Sequence, residues 1–398
     1  MRHEMAGFSA NGDALALDRA PRIAFLFNAQ AHQLLHGISI AESLARSWHI
    51  GVDIVSPSDQ HLALAQRLTD KATHRLLRFE NIGSPFLGTL ANLRQSAIPP
   101  KALTLFHARR RLDQYTAIAL PERTSTLLRR FGVTQPKLIH TDHGAGDRAV
   151  GYDPRIALFD FALLAGRKQE RRMLDAGLIK SGHYAIVGYP KFDAADRLRS
   201  ASWTPFADRR PIVLYNPHFS RELGSWWRHG PTIVDRVASD GRYNLIVAPH
   251  IRLCDDRKSR RRFEAALAPY ADLPNVFVDT GSDRLIDMTY TSTADIYVGD
   301  VSSQIYEFLR TPRPALFVNS GRRDWRGDAN YAHWALGPVI DEPTHIADAI
   351  ANAIATHDAF TPAQHVAIRD TFDTDSTQRA SDRAADAIAA FLNLQRVR

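Results

Sequence analysis

Short apolar runs alternate with helix-like stretches along this chain, and the alternation happens twice. Residues 23–27 read as a first buried strand. A helical stretch over 32–48 and a second strand over 52–55 follow, and the rhythm returns at 137–140, 161–165 and 184–187. Residues 167–176 read as a helix, with Gly177 just past its end. A second series runs through 212–215, 245–248, 276–278, 295–298 and 315–318. Unbroken apolar strands separated by helices call for parallel sheets covered on both faces.

Two such series in succession predict an α/β chain of GT-B type, with two doubly wound, Rossmann-like domains facing a central cleft. At 398 residues and 44% hydrophobic content the chain exceeds what one core usually holds. The expected division is a flexible leader over 1–20, a first domain over 21–188, and a crossing over 189–210. A second domain over 211–360 and C-terminal helices over 361–398, packing back across the junction, complete it. The crossing is assigned on its polar composition and on Pro190 and Pro205.

Composition narrows the setting. The single cysteine, Cys254, excludes an intramolecular disulfide framework and a cysteine-based zinc site, and it fits a reducing, cytoplasmic compartment. No apolar run reaches 18 residues, so no membrane-spanning helix is expected, and the N-terminus lacks the order of a secretory signal. The net charge of +7 asks for anionic partners: nucleotide phosphates, a polyanionic acceptor or an acidic membrane surface. Nucleic acid is set aside because no recognition motif accompanies the charge.

Three motifs fall at strand ends. Asp300-Val301-Ser302-Ser303 joins the strand at 295–298 to a helix-like run, where phosphates bind in α/β sheets. Ser302 and Ser303 are read as phosphate ligands, and Asp300 as a cap or loop anchor. Glu307, one turn on, is read as a ribose ligand or a surface residue. His143 follows the strand at 137–140, and Gly144 and Gly146 allow backbone to approach a ligand. An imidazole there suits proton transfer near neutral pH; the alternative is a structural histidine in a glycine turn. His250, after Pro249, holds the matching position in the second series, as a donor to a phosphate or as a solvated loop residue. A metal on His140, Asp142 and His143 is disfavoured, since a strand aims adjacent side chains apart. No Walker loop occurs in the chain, the Gly-Ala-Gly turn is not a Gly-x-Gly-x-x-Gly, and no Asp-x-Asp is suited to holding a metal. The run Arg257-Lys258-Ser259-Arg260-Arg261-Arg262 reads as a solvated helix face, with anionic lipid or a polyphosphate acceptor as the alternative. Trp226-Trp227 and His218 follow the strand at 212–215, in a loop lining a channel or as packing.

The order of His143-Gly144, Gly188-Tyr189-Pro190-Lys191-Phe192-Asp193, Pro249-His250 and Asp300-Val301-Ser302-Ser303 resembles the CDP-glycerol glycerophosphotransferases, the teichoic-acid polymerases and their relatives in capsule assembly. The resemblance spans about residues 135–320. Gly146 replaces the family's proline, Arg148 its lysine, Lys191 its arginine and Val301 its tyrosine. It implies a GT-B fold, an acceptor-side first domain and a donor-side second domain. It implies CDP-glycerol or another CDP-alditol as donor, with His143 and His250 carrying the chemistry. Gly144, Gly146, Arg148, Lys191, Asp300, Ser302, Ser303 and Glu307 are expected around the donor. No metal or further cofactor is implied. The acceptor is expected to be polymeric or lipid-linked, and the location cytoplasmic, with the inner face of the plasma membrane as a candidate surface. Two alternatives stay open: a GT-B glycosyltransferase or UDP-N-acetylglucosamine 2-epimerase-like enzyme, and a non-catalytic component that binds polyanions or membrane surfaces.

Overall fold

A computed structural model describes residues 21–93, 98–198, 203–254 and 256–397. The leader expected over 1–20 lies outside the described residues. The first half builds β1 (Arg22–Leu26), β2 (Gly51–Ser56), β3 (Leu77–Asn81), β4 (Ala117–Leu120), β5 (Lys137–His140), β6 (Phe161–Leu164) and β7 (Tyr184–Ile186). These form a parallel seven-stranded sheet in the order β3-β2-β1-β4-β5-β6-β7. The second half builds β8 (Ile212–Asn216), β9 (Asn244–Val247), β10 (Val276–Val278), β11 (Ile296–Gly299), β12 (Ala315–Val318) and β13 (Val339–Ile340). Its parallel sheet runs β10-β9-β8-β11-β12-β13. Both sheets reverse winding beside their first strand, between β1 and β4 and between β8 and β11. Open α/β sheets bind ligands at such switch points, outside the carboxyl ends of the strands.

Burial explains which strands announce themselves. In β1, Ile23, Ala24, Phe25 and Leu26 are all buried, because helices cover both faces. The edge strand β3 reads Leu77-Arg78-Phe79-Glu80-Asn81, with Leu77 and Glu80 buried and Arg78 and Asn81 exposed. Charges along an edge discourage pairing with another chain.

The helix Leu34–Ser47 buries Leu34, Leu35, Ile38, Ile40, Ala41 and Leu44, each large one worth about 1.5–3 kcal/mol. It is covered by the helices Pro190–Leu198 and Ala380–Leu392. The first of these corrects the sequence reading. Part of the stretch taken as a crossing is a helix that Pro190 opens, with Lys191, Phe192, Ala194 and Ala195 buried and Asp196 and Arg197 exposed. Trp226 and Trp227 likewise open the helix Trp226–Asp240 and are not in a loop. Trp226 is buried against Phe263, with ring centroids 4.3 Å apart.

Three helices end the described chain. Ile346–Ala355 packs on the second sheet. His357–Phe372 touches both the helix Arg167–Asp175 of the first half and the segment Ala329–Leu336 of the second. Ala380–Leu392 lies against the first half. No helix among the described residues is long and apolar enough to cross a membrane.

Candidate active site

The carboxyl edges of both sheets open onto a cavity of about 340 Å³, a size typical of small-ligand sites, roughly 300–1,000 Å³. From the first half come Gln30 and His32 after β1, Arg123 after β4, and the segment after β5 with Asp142, His143, Gly144, Gly146, Asp147 and Arg148. From the second come His218 and Phe219 after β8, His250 and Arg252 after β9, and Val301, Ser302 and Ser303 after β11. His143, His250, Arg148, the two glycines and both serines therefore meet in one place. Lys191, Asp300 and Glu307 do not line it.

His143 has a fixed orientation. Its Nδ1 lies 2.5 Å from the Pro121 carbonyl oxygen, which only accepts, so Nδ1 carries the proton and Nε2 keeps its lone pair. Asp142 shapes the turn beneath. It adopts φ 55°, a conformation suited to a short polar residue. Its carboxylate accepts from the His143 N–H at 2.6 Å and from Gln169 at 2.8 Å. A Cβ on Gly146 would sit 3.0 Å from the Ser303 Cβ, so glycine lets this loop close onto the second half.

The opposite wall holds two uncharged imidazoles beside arginines. His250 Nδ1 accepts from the Arg252 backbone N–H at 3.2 Å, which leaves the ring's proton on Nε2. Burial and the nearby Arg252 and Arg148 charges push His250 down to about 4, so it is uncharged at neutral pH. His218 stands 5.3 Å from it, centroid to centroid. Both His218 nitrogens face donors, Arg148 Nη1 at 3.0 Å and the Ser220 N–H at 3.2 Å. Burial, then His250 and Arg148, hold it far below the usual histidine range. Arg148 thus reaches from the first half to a ring of the second.

Asp300 was expected to cap a helix or hold the loop, and it holds the loop. Its buried carboxylate accepts from the backbone N–H of His218 at 3.0 Å and of Val301 at 2.7 Å. It also accepts from the Ser225 N–H at 2.6 Å and hydroxyl at 2.9 Å. Burial pushes this carboxyl up, and those donors oppose the shift. The helix after it, Gln304–Phe308, is one short turn, and Ser303 at its start forms no side-chain cap. The helix expected to open there is present but spans only five residues. Ser302 is buried and Ser303 exposed.

Lys191 and Glu307 correct the sequence reading more sharply. They pair with each other at 2.7 Å, both side chains under 10% exposed, and Tyr189 donates to Glu307 at 3.1 Å. This joins the Gly188–Asp193 motif of the first half to the segment after Ser303, behind the cavity wall. Asp193 accepts from the Ser381 N–H at 2.7 Å, holding the start of the last helix. These motif residues position the halves and do not contact the cavity.

The sequence reading missed Asp147 and His333. Asp147 receives Lys168 at 2.9 Å, the Tyr306 hydroxyl at 2.7 and 2.8 Å, and the His333 N–H at 3.0 Å. Burial works against the Asp147 charge, but His333 and Lys168 hold its carboxyl well below the carboxylate range. His333 Nδ1 faces Asp147 at 2.9 Å and Nε2 faces the Asp300 carbonyl at 3.0 Å. Both are acceptors, so the ring satisfies them only with a proton on each nitrogen. Asp147 stands within the marked segment after β5 but was given no role there, and His333 sits in a 3₁₀ segment among aromatic residues. His32, after β1, follows the same strand-end pattern as His143; it was read only as the start of a helix. Its ring is 6.1 Å from that of His143.

The described residues contain no cluster of three metal-ligating side chains. His140 turns into the core, 0% exposed, beside Phe159, and both its nitrogens lack partners. Burial pushes it down to about 4. Unfolded, it takes a proton below about 6.5, so its neutral burial is a stability contribution lost as pH falls from 6.5 through 4. His140→Phe is expected to raise the urea midpoint, by about 1–3 kcal/mol in stability, and more at pH 5 than at pH 7.5. An equal or negative shift at pH 5 contradicts this account.

Two doubly wound sheets with a cleft of converging loops define a GT-B fold. The chain belongs to the CDP-glycerol:poly(glycerophosphate) glycerophosphotransferase family, whose match covers residues 124–390. Similar solved structures include Staphylococcus aureus MnaA in a co-structure with UDP (TM-score 0.63, 14% identity, 94% of this chain and 98% of that one). The wall teichoic acid polymerase TagF, soaked with CDPG, aligns at TM-score 0.60 and 13% identity, over 94% of this chain and 89% of that one. A putative UDP-N-acetylglucosamine 2-epimerase from Listeria monocytogenes aligns at 0.59 and 12%, over 95% and 98%. At these identities the likeness is one of fold. No curated protein sequence matches the chain.

Proposed function

We propose that the protein transfers an alditol phosphate, glycerol phosphate in the first instance, from a CDP-linked donor to an acceptor hydroxyl, with release of CMP. The observation that carries this reading is the division of labour across the cleft. On one side stands an imidazole whose lone pair is left free by the Pro121 carbonyl. On the other stand neutral His250 and His218 with Arg148, Arg252 and the serine loop. The acceptor hydroxyl attacks the β-phosphorus while His143 Nε2 takes its proton. The bond from that phosphorus to the bridging oxygen breaks, and CMP leaves with the electron pair. His250, Arg148, Ser302 and Ser303 hold the diphosphate and offset the charge that builds on it. Phosphoryl transfer needs mainly positioning and electrostatics, which this wall supplies. The nucleotide-linked donor is substrate, and the acceptor is a polymeric or lipid-linked chain ending in a hydroxyl.

The test is incubation with CDP-glycerol and a glycerophosphate-primed acceptor. CMP release that depends on the acceptor is the expected result. Turnover of UDP-N-acetylglucosamine without any response to CDP-alditols would transfer the assignment to a nucleotide-sugar enzyme.

A further inference from the structure

The basic run after His250 stands apart from the other cations of the molecule. The helix Arg257–Leu267 carries Arg257, Lys258, Arg260, Arg261 and Arg262 in its first six residues and no acidic residue in its first turn. Cations at that end oppose the helix dipole. Asp256 caps the helix through the Ser259 N–H at 2.8 Å, and Glu264 is exposed further along. None of the five cations forms an ion pair or side-chain hydrogen bond among the described residues. Elsewhere arginines are commonly paired, as Arg155, Arg171, Arg197, Arg210, Arg242 and Arg310 are.

A chain of contacts links this helix to the cavity. The Arg262 guanidinium lies 5.7 Å and that of Arg221 4.6 Å from the Trp227 ring centre. Trp227 donates its indole N–H to the Phe219 carbonyl at 3.3 Å. Phe219 lies under Arg252 at 4.1 Å and 4.9 Å from the His250 ring. His250, Phe219 and Arg252 line the cavity. The strip is therefore continuous from the cleft outward, with Arg252, Arg221 and Arg262 along it. Between Leu174 and Leu273 no large apolar side chain is exposed among the described residues. A membrane-binding face pairs its charges with inserting apolar residues, and the helix Arg257–Leu267 exposes no large apolar side chain.

We propose that this strip is a docking track for a flexible polyanion, the phosphodiester chain of the acceptor, which it leads to His250. The inference rests on the alditol phosphate transfer proposed above. It adds that acceptors longer than the cavity are held by charge outside it. Unpaired surface cations acting along a polymer give an affinity that rises with chain length and falls with salt.

The test compares wild type with Arg257→Gln/Lys258→Gln/Arg261→Gln/Arg262→Gln, four exposed positions away from the cavity. The acceptors are a glycerophosphate dimer and a chain of about twenty units. The expected result is a tenfold or greater rise in KM for the long acceptor only, with kcat, the KM for CDP-glycerol and the KM for the dimer unchanged. The wild-type preference for the long chain should fade in high salt. Unchanged KM for the long acceptor overturns the inference while turnover of the dimer leaves the transfer reaction standing. Loss of binding to phosphatidylglycerol vesicles with no change in acceptor KM also overturns it, in favour of a membrane face. If CDP-glycerol is not turned over with either acceptor, the reaction itself fails; fluorescence anisotropy of labelled poly(glycerophosphate), with equal binding by wild type and variant, then overturns the track independently.

Discussion

His143→Ala is expected to cut CMP release by two to four orders of magnitude, the usual worth of a positioned general base. The loss should appear in kcat, with KM for the donor little changed. His143 approaches the acceptor hydroxyl, and the diphosphate is held from the other wall by His250, Arg148 and the serine loop. Its side chain is 28% exposed, so truncation leaves no large buried hole and the fold should survive. Circular dichroism and urea midpoints close to wild type would confirm that the loss is chemical. Full activity in the variant, or a fall confined to donor affinity, would remove His143 from the proton-transfer role.

The second large effect concerns stability. Lys191→Met strands the Glu307 carboxylate behind the cavity wall, with Tyr189 as its remaining donor. Removing one partner of a buried ion pair costs about 3–5 kcal/mol. The urea midpoint should fall accordingly, and kcat should fall too, because Glu307 lies four residues past Ser303. The double variant Lys191→Met/Glu307→Gln leaves no charge behind and should recover much of the stability. If the single variant is as stable as wild type, the pair is not the tie it is taken to be here.

Legibility in the sequence followed burial. A strand covered on both faces, such as β12, is a continuous apolar run and was read at the residues it occupies. β3 was missed because an edge strand alternates polar and apolar residues, and β4 because Ala117-Ile118-Ala119-Leu120 is short and alanine-rich. Pro190 was taken as a sign of irregular chain, although proline is well placed in the first turn of a helix. For the site, strand-end position brought out His143, His250 and the serine loop. Lys191 and Glu307 were placed around the donor, whereas the fold pairs them with each other, and Asp300, read as a cap or loop anchor, anchors the loop. A motif shows which side chains are specified. It does not show whether they face a ligand or each other across a junction. Asp147 and His333, separated by 186 positions, gave no local signal because their contact exists only once both halves are folded.

The chain passes between the lobes twice, once in the stretch between Leu198 and Ile212 and again along His357–Phe372, whose two sides touch opposite lobes. Between these two passages the buried Lys191–Glu307 pair and the Tyr306 hydroxyl on Asp147 bind the lobes side chain to side chain. The register of the facing residues is thereby written into the folded core, not left to the ligand that enters between them.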